Sequence, residues 1–246
     1  MNVMHSIDST RRENRKLLAR LIDPDHIPST DALFDMGSRA EADGVDLFFF
    51  GGSLITEGMD YNPVDVLKSS TTLPIILLPS TPAQLNNSAD AVLFLSLISG
   101  RNPEFLIGHQ VTAAPLLKKS NLEVLPTGYL LVDCGRPTTA QYISNTFPIP
   151  YNKGDVAAAT ALAGEMLGLK LMFLDGGSGA DRPPAPEMIA AVRKAVGTPI
   201  IAGGGIRDPK QAHALWQAGA DVVVIGNGAR ENPDLIPSLK VREIRK

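Results

Sequence analysis

Cysteine is nearly missing. Cys134 is the only one in 246 residues, so no intrachain disulfide can form. That excludes a disulfide-stapled secreted fold, and a reducing, cytoplasmic setting is expected. A charge excess is missing too. The formal net charge is -3, which offers no basic surface to a polyanion, so no nucleic-acid partner is expected. Long apolar runs are missing as well. None approaches the ~20 residues that cross a bilayer. The opening MNVMHSIDSTRRENRKLLARLIDPD holds no apolar core of the length of a secretory signal, and none is expected. The basic cluster RRENRK at 11–16 reads first as a solvated first helix. Peripheral contact with an anionic membrane surface is its second reading. Linkers, low-complexity tracts and short repeats are not found.

What is present suits a large globular domain. Hydrophobic residues make up 44% and charged residues 20%, as in ordinary folded proteins. The length fits one α/β barrel or two small domains. Short apolar runs recur: LLARLI at 17–22, VDLFFF at 45–50, PIILL at 74–78, AVLFLS at 91–96, YLLVDC at 129–134, LMFL at 171–174, PIIA at 199–202 and DVVVI at 221–225. Runs of this length predict parallel strands buried on both faces. Helical patterns fill most gaps. Thr30–Asp43 has Ser29 or Thr30 as N-cap, Val156–Leu167 has Asp155, and Pro186–Val196 and Pro209–Ala218 each start on a proline. The segment 79–90 holds two prolines and predicts an abbreviated connection after the third strand. Eight strands alternating with helices predict a single (β/α)8 TIM-like barrel over residues 1–246, with 1–16 as a helical or flexible extension. A doubly wound open sheet is the structural alternative.

In a barrel of this kind the working residues follow each strand. After the first comes DPDH, Asp23 to His26, whose carboxylates suit either a hard-cation site or a capped turn. After the second comes GGS, where Ser53 can meet a phosphate or a metal, or where the glycines simply make a tight turn. After the sixth, seventh and eighth come DGGSGAD from Asp175, AGGGIRD from Ala202 and IGNGA from Ile225. Three glycine-rich loops at one barrel end present bare amides, which suits a phosphate. Asp175 ends the sixth strand and is the candidate general base, with a loop-holding role as its alternative. Cys134 reads as core. His5, His109 and His213 lack metal-ligand spacing, Trp216 fits the apolar face of its helix, and Asp133 and Arg136 either face the site or pair with each other.

The ordered set LIDPDH, FFFGGS, FLDGGSGA, AGGGIRD and VVVIGNGA, spread from Leu17 to Ala229, resembles the geranylgeranylglyceryl phosphate synthase family, which includes the bacterial heptaprenylglyceryl phosphate synthases. The resemblance implies a Mg2+-dependent prenyltransferase of ether-lipid biosynthesis. Such an enzyme joins the C3 hydroxyl of sn-glycerol 1-phosphate to a polyprenyl diphosphate, geranylgeranyl diphosphate first, and releases diphosphate. It implies Asp23 and Ser53 as magnesium ligands. Phe173, Leu174, Asp175, Gly176, Gly177, Ser178, Gly179, Gly204, Gly205, Gly226 and Asn227 become glycerol phosphate positions, and Asp175 the proton acceptor. A homo-oligomer, dimer or larger, is implied too. The chain departs from the family pattern at three positions. Phe173 stands where Tyr is usual, Asp175 where Glu is usual, and His26 where Lys is usual. Two other readings remain: a sugar-phosphate isomerase or epimerase, and a non-catalytic binder of a phosphate or prenyl ligand.

Overall fold

The computed structural model describes residues 2–56 and 60–239. Position 1 of the N-terminal extension lies outside them, as do 57–59 and 240–246. Helix α1 (Val3–Arg12) precedes strand β1 (Leu17–Ile22). The chain then alternates through α2 (Thr30–Asp43), β2 (Leu47–Phe50), α3 (Pro63–Ser70) and β3 (Ile75–Leu77). After β4 (Ala91–Ser96) a π-helical turn, Glu104–Gly108, runs into α4 (His109–Leu117). Next come β5 (Glu123–Leu131), α5 (Thr139–Ser144), α6 (Gly154–Met166) and β6 (Leu171–Asp175). The rest is α7 (Pro186–Ala195), β7 (Ile200–Gly203), α8 (Pro209–Ala218), β8 (Val222–Ile225) and α9 (Asn227–Glu231).

All eight strands run parallel in sequence order and close into a barrel, with Leu17 of β1 opposite Val222 of β8. The apolar runs suit this closure. Each strand is buried on both faces, so side chains of either parity need cover. Ala19, Phe49, Ile76, Leu93, Phe173 and Val224 fill the barrel interior. Leu18, Phe48, Ile75, Val92, Leu174 and Val223 pack outward under the helices. Caps set the helix ends. Ser29 accepts from Ala32 N–H at 3.1 Å to start α2, and Asp208 with Gln211 forms a capping box on α8. Trp216 of α8 is buried, and its indole N–H donates to Leu17 O at 3.2 Å.

The barrel base is shut by α1. Val3 and Ile7 join the interior core, and the N–H groups of Val3 and Met4 donate to the Glu123 carboxylate at 2.5 and 3.0 Å. A carboxylate at a helix N-terminus is favoured by the unpaired amides there. The basic cluster is drawn into the same end. Arg11 and Lys16 approach buried Asp221 at 3.8 and 3.7 Å, while Arg15 pairs with Glu13 at 3.6 Å.

Two boundaries differ from the sequence expectation. Strand β5 begins at Glu123 and ends at Leu131, so Cys134 lies beyond it. Polar Glu123 and Thr127 and a proline at 126 hide its first half from an apolar-run reading. Pro126 has no N–H to give the ladder, and its carbonyl accepts from Lys170 N–H at 2.8 Å just before β6 begins. Helix α6 begins at Gly154 after Lys153, which leaves Asp155 inside the first turn rather than at the cap. Between β3 and β4 stands only a 3-10 turn, Pro82–Gln84, as the two prolines predict.

Candidate active site

The short β3–β4 connection leaves a gap in the helical ring. A groove of about 320 Å3 runs from the C-terminal mouth of the barrel into that gap, within the ordinary size range of ligand sites. Its far wall is mainly apolar: Leu85 beside the 3-10 turn, Val92 and Phe94 on the outer face of β4, and Phe105, Ala113 and Leu117 leading into and along α4, with His109 and Gln110 at the start of that helix. The mouth carries the polar residues, Asp23, Ser53, Tyr129 and Asp175 among them, together with the three glycine-rich loops.

Asp175 ends β6 at that mouth. Its Oδ1 accepts from Gly177 N–H at 2.8 Å, and its Oδ2 accepts from the Tyr129 hydroxyl at 2.5 Å. A carboxylate offers about four lone-pair positions, so acceptor capacity remains for a substrate hydroxyl. Burial pushes the Asp175 carboxyl above its ordinary value, and the bonds from Tyr129 and Gly177 pull against that rise. Burial, then the Asp175 charge, holds the Tyr129 phenol well above its usual range, so it stays a donor. Phe173 lies two residues earlier on β6. Its buried ring meets Tyr129 edge-on at 5.3 Å. Tyr129 is thus a candidate site residue that sequence reading missed, one strand over from Phe173 in register.

The three loops meet beside this carboxylate. Outside the helices and strands, the N–H groups of Ser178, Gly179, Gly204, Gly205 and Gly226 find no acceptor among the described residues, and all five residues line the groove. Asn227 donates from Nδ2 to Ser178 Oγ at 3.1 Å, tying the loop after β8 to the loop after β6. Gly204 has φ +83, and a Cβ there would stand 2.8 Å from Asp175 Oδ1, Gly176 N and Gly177 N. The missing side chain is therefore what lets the β7 loop lie against the loop after β6. Unpaired amides grouped in this way form an anion cradle.

Two of the predicted contact positions do not reach the groove. Leu174 faces outward into the helical layer, because alternate strand residues point to opposite sides. Gly176 spends its N–H on Gly203 O at 3.0 Å, extending the β6–β7 ladder. Among the remaining motif residues, Arg136 pairs with Asp181 at 3.2 Å rather than with Asp133. Burial pushes the Cys134 thiol up to about 12, which leaves no thiolate for nucleophilic work.

The DPDH turn divides its carboxylates. Asp25 Oδ2 accepts from Thr56 N–H and from its hydroxyl, both at 2.8 Å, and so holds the loop after β2. Asp23 stays at the groove, with His26 Nδ1 3.3 Å from its Oδ2. A Cβ at Gly52 would lie 3.0 Å from Asp23 Oδ1, so the bare backbone before Ser53 makes room for that carboxylate. One carboxylate and one hydroxyl at the edge of the groove fit Mg2+, which completes its shell with water and other oxygens. Three-residue clusters of the usual metal-binding side chains do not occur among the described residues. No helix among them is long and apolar enough to cross a membrane.

Comparison with known proteins agrees with this geometry. The chain is similar to geranylgeranylglyceryl phosphate synthase of Spirosoma linguale, with 53% identity over 94% of each chain. It is 40% identical to that of Thermococcus gammatolerans over 89% of this chain and 86% of the other. The solved wild-type enzyme of Thermoplasma volcanium superposes with a TM-score of 0.90 at 31% identity over the full length of both chains. The Thermoplasma acidophilum (S)-3-O-geranylgeranylglyceryl phosphate synthase, solved in complex with sn-glycerol-1-phosphate, gives 0.87 at 31% identity over 98% and 96%. The PcrB family pattern matches residues 10–245, and with the closed barrel and its three-loop cradle this places the chain in the PcrB family.

Proposed function

We propose that this chain is a geranylgeranylglyceryl phosphate synthase and that the residues of the groove mouth carry the reaction. One observation supports this most. A proton-accepting carboxylate, Asp175, stands between an anion cradle and a long apolar groove. The sn-glycerol-1-phosphate held by the Thermoplasma acidophilum relative supports the acceptor. A small sugar phosphate would leave the apolar wall of Val92, Phe94 and Leu117 without a partner, which argues against an isomerase.

In this reading the unpaired N–H groups of Ser178, Gly179, Gly204, Gly205 and Gly226 hold the glycerol phosphate. Asp175 takes the proton from the C3 hydroxyl as its oxygen bonds to the allylic carbon of geranylgeranyl diphosphate. The carbon–oxygen bond to diphosphate breaks and diphosphate leaves. The apolar wall keeps water from the electron-poor carbon. Asp23 and Ser53 would hold Mg2+, which when bound neutralises charge on the leaving diphosphate. A single barrel domain over 1–246, a cytoplasmic location, peripheral membrane contact and a homo-oligomer of two or more copies belong to the same reading. The prenyl substrate supports the membrane contact, and exposed Tyr142 and Phe147 support association.

Purified protein given sn-glycerol 1-phosphate and geranylgeranyl diphosphate is expected to release diphosphate with Mg2+ and to stop on chelation. No release at any Mg2+ concentration, with both substrates bound, overturns the assignment.

Tyr129→Phe follows from the same geometry. It removes a hydrogen bond that lowers the Asp175 pKa, so the acid limb of the kcat/KM profile moves to higher pH. A limb that stays in place, or moves to lower pH, contradicts the coupling.

A further inference from the structure

The loop after β6 presents a physical difficulty. Gly176, Gly177, Ser178 and Gly179 have almost no side chain with which to anchor themselves, and glycine-rich segments lose the most freedom on ordering. The anchors must come from elsewhere. Arg136, after β5, donates from Nε to Gly179 O at 2.5 Å. Arg207, after β7, donates from Nη1 to Ala180 O at 2.8 Å and to Asp181 O at 3.1 Å. The opposite sides of the same peptide units are occupied too. Ala180 N–H donates to Gly177 O at 3.3 Å, and the N–H groups of Asp181 and Arg182 both donate to Cys134 O, at 3.1 and 3.3 Å.

Three successive peptide units, from Gly179 to Arg182, are thus held at both their C=O and their N–H. A trans peptide is planar, so holding those units also fixes where the chain enters them. Just before them come the Ser178 and Gly179 N–H groups, the two in this loop that find no acceptor among the described residues. Arg207 is itself aimed by Glu231 of α9, whose carboxylate lies 3.3 Å from its Nε. It therefore joins the loops after β6, β7 and β8, the three that build the cradle.

We infer that Arg207, aimed by Glu231 and seconded by Arg136, is a positioning residue that sets the phosphate affinity of this site by pinning the carbonyls behind the Ser178 and Gly179 amides. This rests on the transferase reading only for its kinetic arm. Arg207 works through the loop and takes no proton.

The test uses the full chain, with Arg207→Met, Arg207→Lys and Glu231→Gln beside wild type. Binding of inorganic phosphate and of sn-glycerol 1-phosphate is followed by calorimetry, and transfer by diphosphate release. Arg207→Met is expected to weaken both phosphate ligands about 10- to 100-fold, the worth of one or two charge-assisted bonds. The KM for sn-glycerol 1-phosphate rises in parallel, kcat falls less, and the KM for geranylgeranyl diphosphate stays within about twofold. Arg207→Lys reaches one carbonyl at most and recovers part of the affinity. Glu231→Gln weakens binding about threefold, as a neutral partner aims the guanidinium less firmly.

Unchanged phosphate affinity in folded Arg207→Met overturns the inference. An equal rise in both KM values does so too, since it marks a general loosening of the barrel. If wild type binds phosphate and the variants lose it while no protein turns over, the transferase reading fails and the positioning role of Arg207 stands.

Discussion

Asp175→Asn is expected to abolish transfer while leaving sn-glycerol 1-phosphate bound. Asparagine keeps an oxygen for the Gly177 N–H, which Asp175 Oδ1 accepts at 2.8 Å, so the loop retains its shape. What goes is the ability to take a proton. General-base catalysis contributes roughly 10²- to 10⁴-fold, and the fall in kcat belongs in that range. Asp175→Ala separates the two roles of the residue. It removes the proton acceptor and the Gly177 acceptor together, so ligand affinity drops along with turnover. Calorimetry on the two variants beside their rates decides the matter. Substantial transfer by Asp175→Asn would exclude Asp175 as the base. Loss of binding in both variants alike would reduce it to a loop holder. The carboxyl also sits above its ordinary pKa through burial. Wild-type kcat/KM should therefore fall at a higher pH than an unperturbed aspartate would give, because the protonated form cannot act.

Gly204→Ala is expected to damage binding and chemistry together. Its φ is +83, a left-handed conformation that takes about 1–2 kcal/mol from an L-residue with a side chain. Space matters more. The added Cβ would stand 2.8 Å from Asp175 Oδ1 and from the N atoms of Gly176 and Gly177. Two of those three atoms are backbone and the third belongs to the proposed base, so no flexible side-chain end can yield. A displacement near 1 Å at a reacting group is worth about 100-fold in rate. A loss of that size is expected in kcat/KM for glycerol phosphate. Gly168→Ala is the matched control. Its φ is +91 with nothing within 4 Å of the added carbon, so it carries the backbone strain without the collision. It should lower the unfolding midpoint and leave activity alone. Equal activity in the two variants would show that the contact between the β7 loop and Asp175 is unimportant.

Much of this protein follows from the sequence itself. The eight apolar runs mark eight strands because each strand in a parallel barrel is buried on both faces, and burial needs no partner to be readable. The two prolines at 79 and 82 mark the missing helix after β3, because proline punctuates locally. The glycine-rich loops mark the cradle, because bare backbone is itself a local property.

The tertiary structure alone decided the rest. Tyr129 reads as one more apolar strand residue, yet its hydroxyl meets Asp175 across 46 positions of chain, because strand register brings β5 beside β6. Leu174 and Gly176 sit inside a ligand-binding motif but outside the groove, because strand alternation turns the first outward and the ladder consumes the N–H of the second. The apolar groove is the space left by an absent helix, walled by residues from β4 and α4. Arg207 acts on carbonyls 26 and 27 positions before it. Periodicity and composition report what each residue does to its own segment. Register, closure and the filling of space decide which distant groups meet, and those meetings make the site.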